Sequence, residues 1–280
     1  VGNDANKRVS RRQNWNTSSA PCQDPGNAAA LPGSNDTVIF DGSCTNVANI
    51  SANWSVSQID IQSGYTGTLT QGANRTVTVG AGGWSQSDGT FSGSNAAINI
   101  NGPFSLSGGT FTSTSATVSV TGNFTFSGGT FTSTSNTLSL GGNFTRSGGT
   151  WDANGGTVKF TATSSKTITS GTNVIFNHLI FDGVNGNWEL QDILDVNGNL
   201  TITNKTLDTK SGVNNAITVA GNWTNAGTFT AQEGEVIFDG TAGGKTITAG
   251  GSAFYDLTIN SSDGNGAWTT AAGTSLNVSR

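Results

Sequence analysis

The chain has 280 residues, enough for one elongated domain or two compact ones. Charged residues make up 10%, well below the roughly 25% of ordinary globular domains, and the net charge is only -5. That balance excludes disorder driven by self-repulsion and argues against nucleic acid as a partner, and no apolar run approaches the roughly 20 residues of a membrane-spanning helix.

Residues 1–36 do not share the pattern of the rest and read as an irregular arm and cap. Lys7, Arg8, Arg11 and Arg12 place four of the twelve basic residues in the first twelve positions. They read either as a solvated arm or as a basic arm docking on an acidic neighbouring subunit, with Trp15 as a candidate anchor between subunits. The chain begins at Val1 and contains no methionine, which leads us to expect a leader removed on export. In an exported chain the even pair Cys22 and Cys44 is most simply a disulfide, contributing about 3 kcal/mol by restricting the unfolded chain. Two buried free thiols are the other reading.

From residue 37 onward the text is strand-like. "TVIFDG", "SQIDIQSGYTGTLTQ" and "RTVTVG" form a first, less regular group over 37–80. Over 81–160 the pattern becomes strict. A first aromatic recurs at Trp84, Phe104, Phe124 and Phe144, and a second at Phe91, Phe111, Phe131 and Trp151. An apolar pair recurs at Ile98/Ile100, Val118/Val120, Leu138/Leu140 and Val158/Phe160. Every step is 20 residues. Within a unit, "NFTF", "TFTST" and "TLSL" alternate with period two, and Gly-Gly or Ser/Asn/Thr turns separate them. One unit is three short strands and three turns.

Such strict identity predicts an all-β fold, a single-stranded parallel β-solenoid of three short strands per coil of about 20 residues, with about ten to twelve coils over 37–280. Each residue then stacks on its counterpart about 4.8 Å away. Phe sits over Phe, outward hydroxyls form ladders, and charges, which would stack on like charges, are excluded from the regular coils. In the second half, "KTITSGTNVIFNHLIFDG" (166–183) matches "KTITAGGSAFYDLTINSS" (245–262), and "GTWDANGGTVKF" (149–160) matches "GTFTAQEGEVIF" (227–238), so a module of roughly four coils is expected to occur twice.

The phrases "GNFT-x-SGGTF" and "GTV-x-F … KTITSG" resemble the β-strand-repeat surface proteins of prokaryotes, right-handed β-helices of the filamentous-haemagglutinin and autotransporter-passenger kind. The resemblance is one of repeat style over about 37–280. It implies a right-handed β-helix and a secreted or surface-exposed protein; it implies no ligand.

The chain stops at "LNVSR", partway through a coil, so Leu276, Val278 and Arg280 read as an unfinished template that another subunit could complete by strand addition. Head-to-tail contact of that sort does not close on itself and yields a filament. Twelve Asn-x-Ser/Thr sequons include Asn123, Asn143, Asn199 and Asn222. They could carry glycans, although a repeat rich in Asn, Ser and Thr copies sequons without any such role.

Little in the sequence suggests catalysis. Acids gather at Asp182, Glu189, Asp192 and Asp195, and at Glu233, Glu235 and Asp239, and read as solvated charges beside turns. A weak calcium site and catalytic carboxylates are the other readings weighed. His178 has no second histidine for a metal site. "GTAGGKTIT" (240–248) lacks the spacing and the helix of a phosphate loop. Trp54, Trp84, Trp151, Trp188, Trp223 and Trp268 sit where other copies carry core residues. We therefore expect a non-enzymatic structural subunit of an extracellular filament or fibre, needing no cofactor, with itself as partner. An adhesin segment binding glycans or surfaces along its flank is the alternative, and a polysaccharide-active enzyme a remote third.

Overall fold

The computed structural model describes residues 31–43, 47–171, 174–260, 268–270 and 276–279. Cys22, Cys44, Lys7, Arg8, Arg11, Arg12, Trp15 and Arg280 lie outside these. The chain divides into two compact units, residues 1–138 with 147–154, and residues 139–146 with 155–280. In both, the chain is all-β and winds as a parallel β-solenoid, with about 11 turns in total and about 21 residues per turn.

In the first unit three ladders run in parallel. One joins Val77, Ile98 and Val118 in register. A second carries Thr37–Phe40 to the end of Trp54–Ile61, and from there to Trp84, Phe104 and Phe124. The third is a six-stranded sheet through Ala48–Ile50, Thr68–Gln71, Thr90–Ser92, Thr110–Thr112, Thr130–Thr132 and Thr150–Asp152. Thr130 pairs with Thr110 on one side and Thr150 on the other, which is the 20-residue period seen in the sequence.

Period-two alternation sends every second side chain inward, and on two of the three ladders many of the inward positions are aromatic. Phe91 stacks on Phe111 at 4.8 Å, Phe111 on Phe131 at 5.3 Å and Phe131 on Trp151 at 5.1 Å. From the adjoining sheet Phe104 stacks on Phe124 at 4.7 Å. The two stacks meet edge to face, Phe104 on Phe111 at 82° and Phe124 on Phe131 at 86°. Offset stacks along the axis combined with T-shaped contacts across it satisfy the ring quadrupoles in both directions.

The "SGG" turn needs each glycine for a different reason. Gly129 has φ 78°, in the left-handed region. Gly128 has ordinary φ, but a Cβ there would lie 2.3 Å from the Ser107 carbonyl oxygen of the preceding coil. Chain reversal and close coil-to-coil approach thus fix "GG" as a pair.

The second unit is built the same way with less regular turns. One ladder joins Thr157–Phe160, His178–Phe181, Leu200–Ile202, Trp223–Asn225, Lys245–Thr248 and Trp268–Thr270. Another joins Lys166, Trp188, Leu207 and Phe229. A five-stranded sheet joins Ile175–Phe176, Leu194–Val196, Ile217–Val219, Glu235–Phe238 and Asp256–Ile259.

This arrangement refines the expected module of roughly four coils. "KTIT" at 166–169 and "KTIT" at 245–248 lie on different ladders. They are eleven strands apart along the chain, and with three strands per turn that is one face short of four turns. The copied text is therefore read one face further round, with its local contacts preserved. Lys166 pairs with Trp188 and Lys245 with Trp268, and Ile168 pairs with Phe144 as Ile247 pairs with Trp223.

Candidate functional site

Three surfaces carry chemistry: the acids of the second unit, its sequon asparagines, and the outer hydroxyls of the six-stranded sheet in the first unit. The acids do not converge as a group. Asp182 forms an ion pair with Lys159 and accepts a hydrogen bond from Asn204 Nδ2 at 2.9 Å. Asp192 caps a turn, accepting from Ser170 N, Ser170 Oγ and Gly171 N at 2.6 to 2.9 Å. Glu233 accepts from Asn214 and Glu235 from Thr258. Burial, and secondarily the Asp239 carboxylate, holds the Asp195 carboxyl above its usual range. Asp239 Oδ1 is buried without a hydrogen-bond partner. Among the described residues no group of three or more His, Cys, Asp and Glu is placed to hold a metal ion.

One pairing escaped the sequence reading. Glu189 stands in register with Asp208 on the next coil, an unfavourable like-charge neighbour. A hydrogen-bond network offsets it. Gln191 Nε2 donates to Glu189 at 2.7 Å, and Lys210 Nζ donates to Gln191 Oε1. Lys210 N and Gln232 Nε2 donate to Asp208 at 2.8 and 3.0 Å. Glu189 and Asp208 line a shallow groove of about 450 Å³ with Asn143, Lys166, Asn187 and Thr206. The signal that could have found the pair was the coil length, which falls to 19 residues between Asn187 and Thr206.

The sequon asparagines have a structural task. Asn143 Oδ1 accepts from Thr167 N at 3.0 Å, and Asn222 Oδ1 accepts from Thr246 N at 2.8 Å, the same device in the two copies of the module. Asn199 Oδ1 accepts from Asn222 N at 2.9 Å, and Asn199 N donates to Nδ1 of His178 at 3.0 Å. His178 is thereby an acceptor holding one coil to the next. Asn123 is exposed.

Outside the six-stranded sheet, Thr68, Thr90, Thr110, Thr130 and Thr150 stand in one column in register. Thr70, Ser92, Thr112 and Thr132 form a second column, closed by Asp152. The inward residues between the columns are Leu69 and the aromatic stack. Of the expected tryptophans, Trp84, Trp188 and Trp223 are fully buried, as core stacking requires.

At one edge of the five-stranded sheet the core opens. Val196, Val219 and Phe238 occupy one inward column and are 0% exposed, whereas Ile259, the next in register, is 51% exposed. Val278 pairs with Phe254 through a single parallel bridge and is itself exposed; Leu276 is half-buried. No helix among the described residues is long and apolar enough to cross a membrane. Comparison with family models, with curated proteins and with solved structures finds no match to this chain.

Proposed function

We propose that the chain is a structural subunit of an extracellular filament or surface fibre, of the β-strand-repeat surface-protein kind, joined head to tail by strand complementation. The observation that carries this reading is the uncovered inward column at Ile259. Parallel sheets are ordinarily buried, and a strand edge with an exposed apolar inward residue accepts another strand in the same register. The strand that fits is the N-terminal segment of a second copy, because every interior step of the solenoid is the addition of one such strand to the last. Assembly of this kind is open-ended.

Light scattering and negative-stain microscopy on the purified chain test it. Polymers that shorten when Ile259→Asp is introduced support the proposal; a monomer at all concentrations, without fibres, overturns it. The groove at Glu189 and Asp208 favours a second reading, an adhesin flank that binds glycan hydroxyls, which glycan-array binding lost in Glu189→Ala would support.

A further inference from the structure

The six-stranded sheet of the first unit presents two outward columns of Ser and Thr side by side. Its two columns of hydroxyls repeat at the strand spacing of about 4.8 Å in one direction and at two residues, about 6.6 Å, in the other. None of these hydroxyls is hydrogen-bonded to another group of the protein among the described residues. Some hydroxyls on other faces are used internally: Ser107 Oγ donates to Ser87 Oγ at 3.2 Å and Ser119 Oγ to Asn99 Oδ1 at 3.2 Å.

The columns rest on a stack of buried rings. Beneath them the ring planes turn by 25° from Phe91 to Phe111, by 7° from Phe111 to Phe131 and by 14° from Phe131 to Trp151.

From this geometry we propose that the face is a binding site for a crystalline lattice of water, an ice surface. A threonine hydroxyl both donates and accepts, as a water molecule does, and its methyl group confines water in the trough between columns. The face carries no charge until Asp152 at its edge, and Asp88 is turned to cap Gly64 N and Gly89 N. A charge would hold its own hydration shell and break a lattice match. A two-dimensional, neutral, rigid array fits a rigid lattice better than a flexible glycan chain, which can follow only one column. The exposed large apolar residues that would drive a protein contact are absent from both columns. The proposal does not depend on end-to-end assembly.

The test is ice affinity of the full chain, labelled with a fluorophore and frozen slowly into a growing ice hemisphere. Thr130→Lys places a charge in the centre of the array, and Ser105→Lys places one on the outward side of a different sheet. Circular dichroism and thermal unfolding verify that both fold. The wild-type chain and Ser105→Lys should be incorporated into the ice, and Thr130→Lys should be excluded like a non-binding control protein. Exclusion of the wild-type chain, or equal incorporation of Thr130→Lys, overturns the proposal. So does a wild-type chain excluded from ice that loses self-association or binding to crystalline cellulose or chitin on Thr130→Lys, which would reassign the face to that occupant.

Discussion

Replacing Phe131 by alanine removes a ring that is 1% exposed and contacts five others: Phe111, Trp151, Phe104, Phe124 and Phe126 lie at 5.1 to 6.2 Å between centroids. A buried Phe→Ala change costs about 3–5 kcal/mol from lost transfer free energy and the cavity left behind. The rings above and below Phe131 are held by their own strands, so collapse into the void is restricted and the upper part of that range is expected. Phe131→Leu keeps most of the volume and should cost about 1–2 kcal/mol. Thr130→Val, one residue away and outward, should change stability by less than about 0.5 kcal/mol. Urea unfolding followed by tryptophan fluorescence, reporting through Trp151, reads all three. Because coils in a solenoid contact only their neighbours, hydrogen exchange of the 110–112 and 150–152 amides should accelerate first and more distant coils less. If Phe131→Ala costs under about 1 kcal/mol, or Thr130→Val costs more than Phe131→Leu, the in-register aromatic core is wrong.

Gly129→Ala forces φ 78° on an L-residue and drives its Cβ to 2.4 Å from Gly109 O, whereas Gly155→Ala, at φ 68°, meets no atom within 4 Å. Chemical denaturation should show the first costing at least about 2 kcal/mol more than the second, which carries only the left-handed penalty of about 1–2 kcal/mol. The folded chain holds the Asp195 proton more tightly than the unfolded chain does, since its carboxyl is raised above 3.8 by burial and by Asp239. The stability it contributes is therefore present below the ordinary carboxylate range and lost as pH rises through the raised native value. Asp195→Asn should melt higher than wild type at neutral pH, with the difference closing below about pH 3.8 in a pH-dependent thermal series. Asn222→Ala removes the acceptor for Thr246 N and should cost about 0.5–1.5 kcal/mol, with faster exchange at the Thr246 amide as its signature.

The solenoid was legible because its coils copy their neighbours. Where the coil length stays at 20, as from Phe91 to Trp151, the sequence alone assigns each residue its stacking partner. In the second unit the turns vary, 21 residues from Leu179 to Leu200 and 24 from Trp223 to Ile247, and the eye loses the register. The Glu189–Asp208 pair is hidden for that reason, and so is the one-face rotation of the repeated "KTIT" module. The hydroxyl ladders were expected from the repeat. Asn143, Asn199 and Asn222, each within a sequon, are also coil-to-coil acceptors, a role that depends on the backbone N–H of the following coil being within reach.

The spatial claim beneath all of this is that residues one turn apart are parallel neighbours. Nuclear Overhauser contacts between the backbone protons of Phe111 and Phe131 test it most directly. The parallel solenoid predicts amide-to-Hα contacts between residues 111 and 131, and again between 131 and 151, with no close Hα–Hα pairs. Strong Hα–Hα contacts between chain-adjacent strands, such as 124–126 with 130–132, would instead reveal an antiparallel meander and contradict the account.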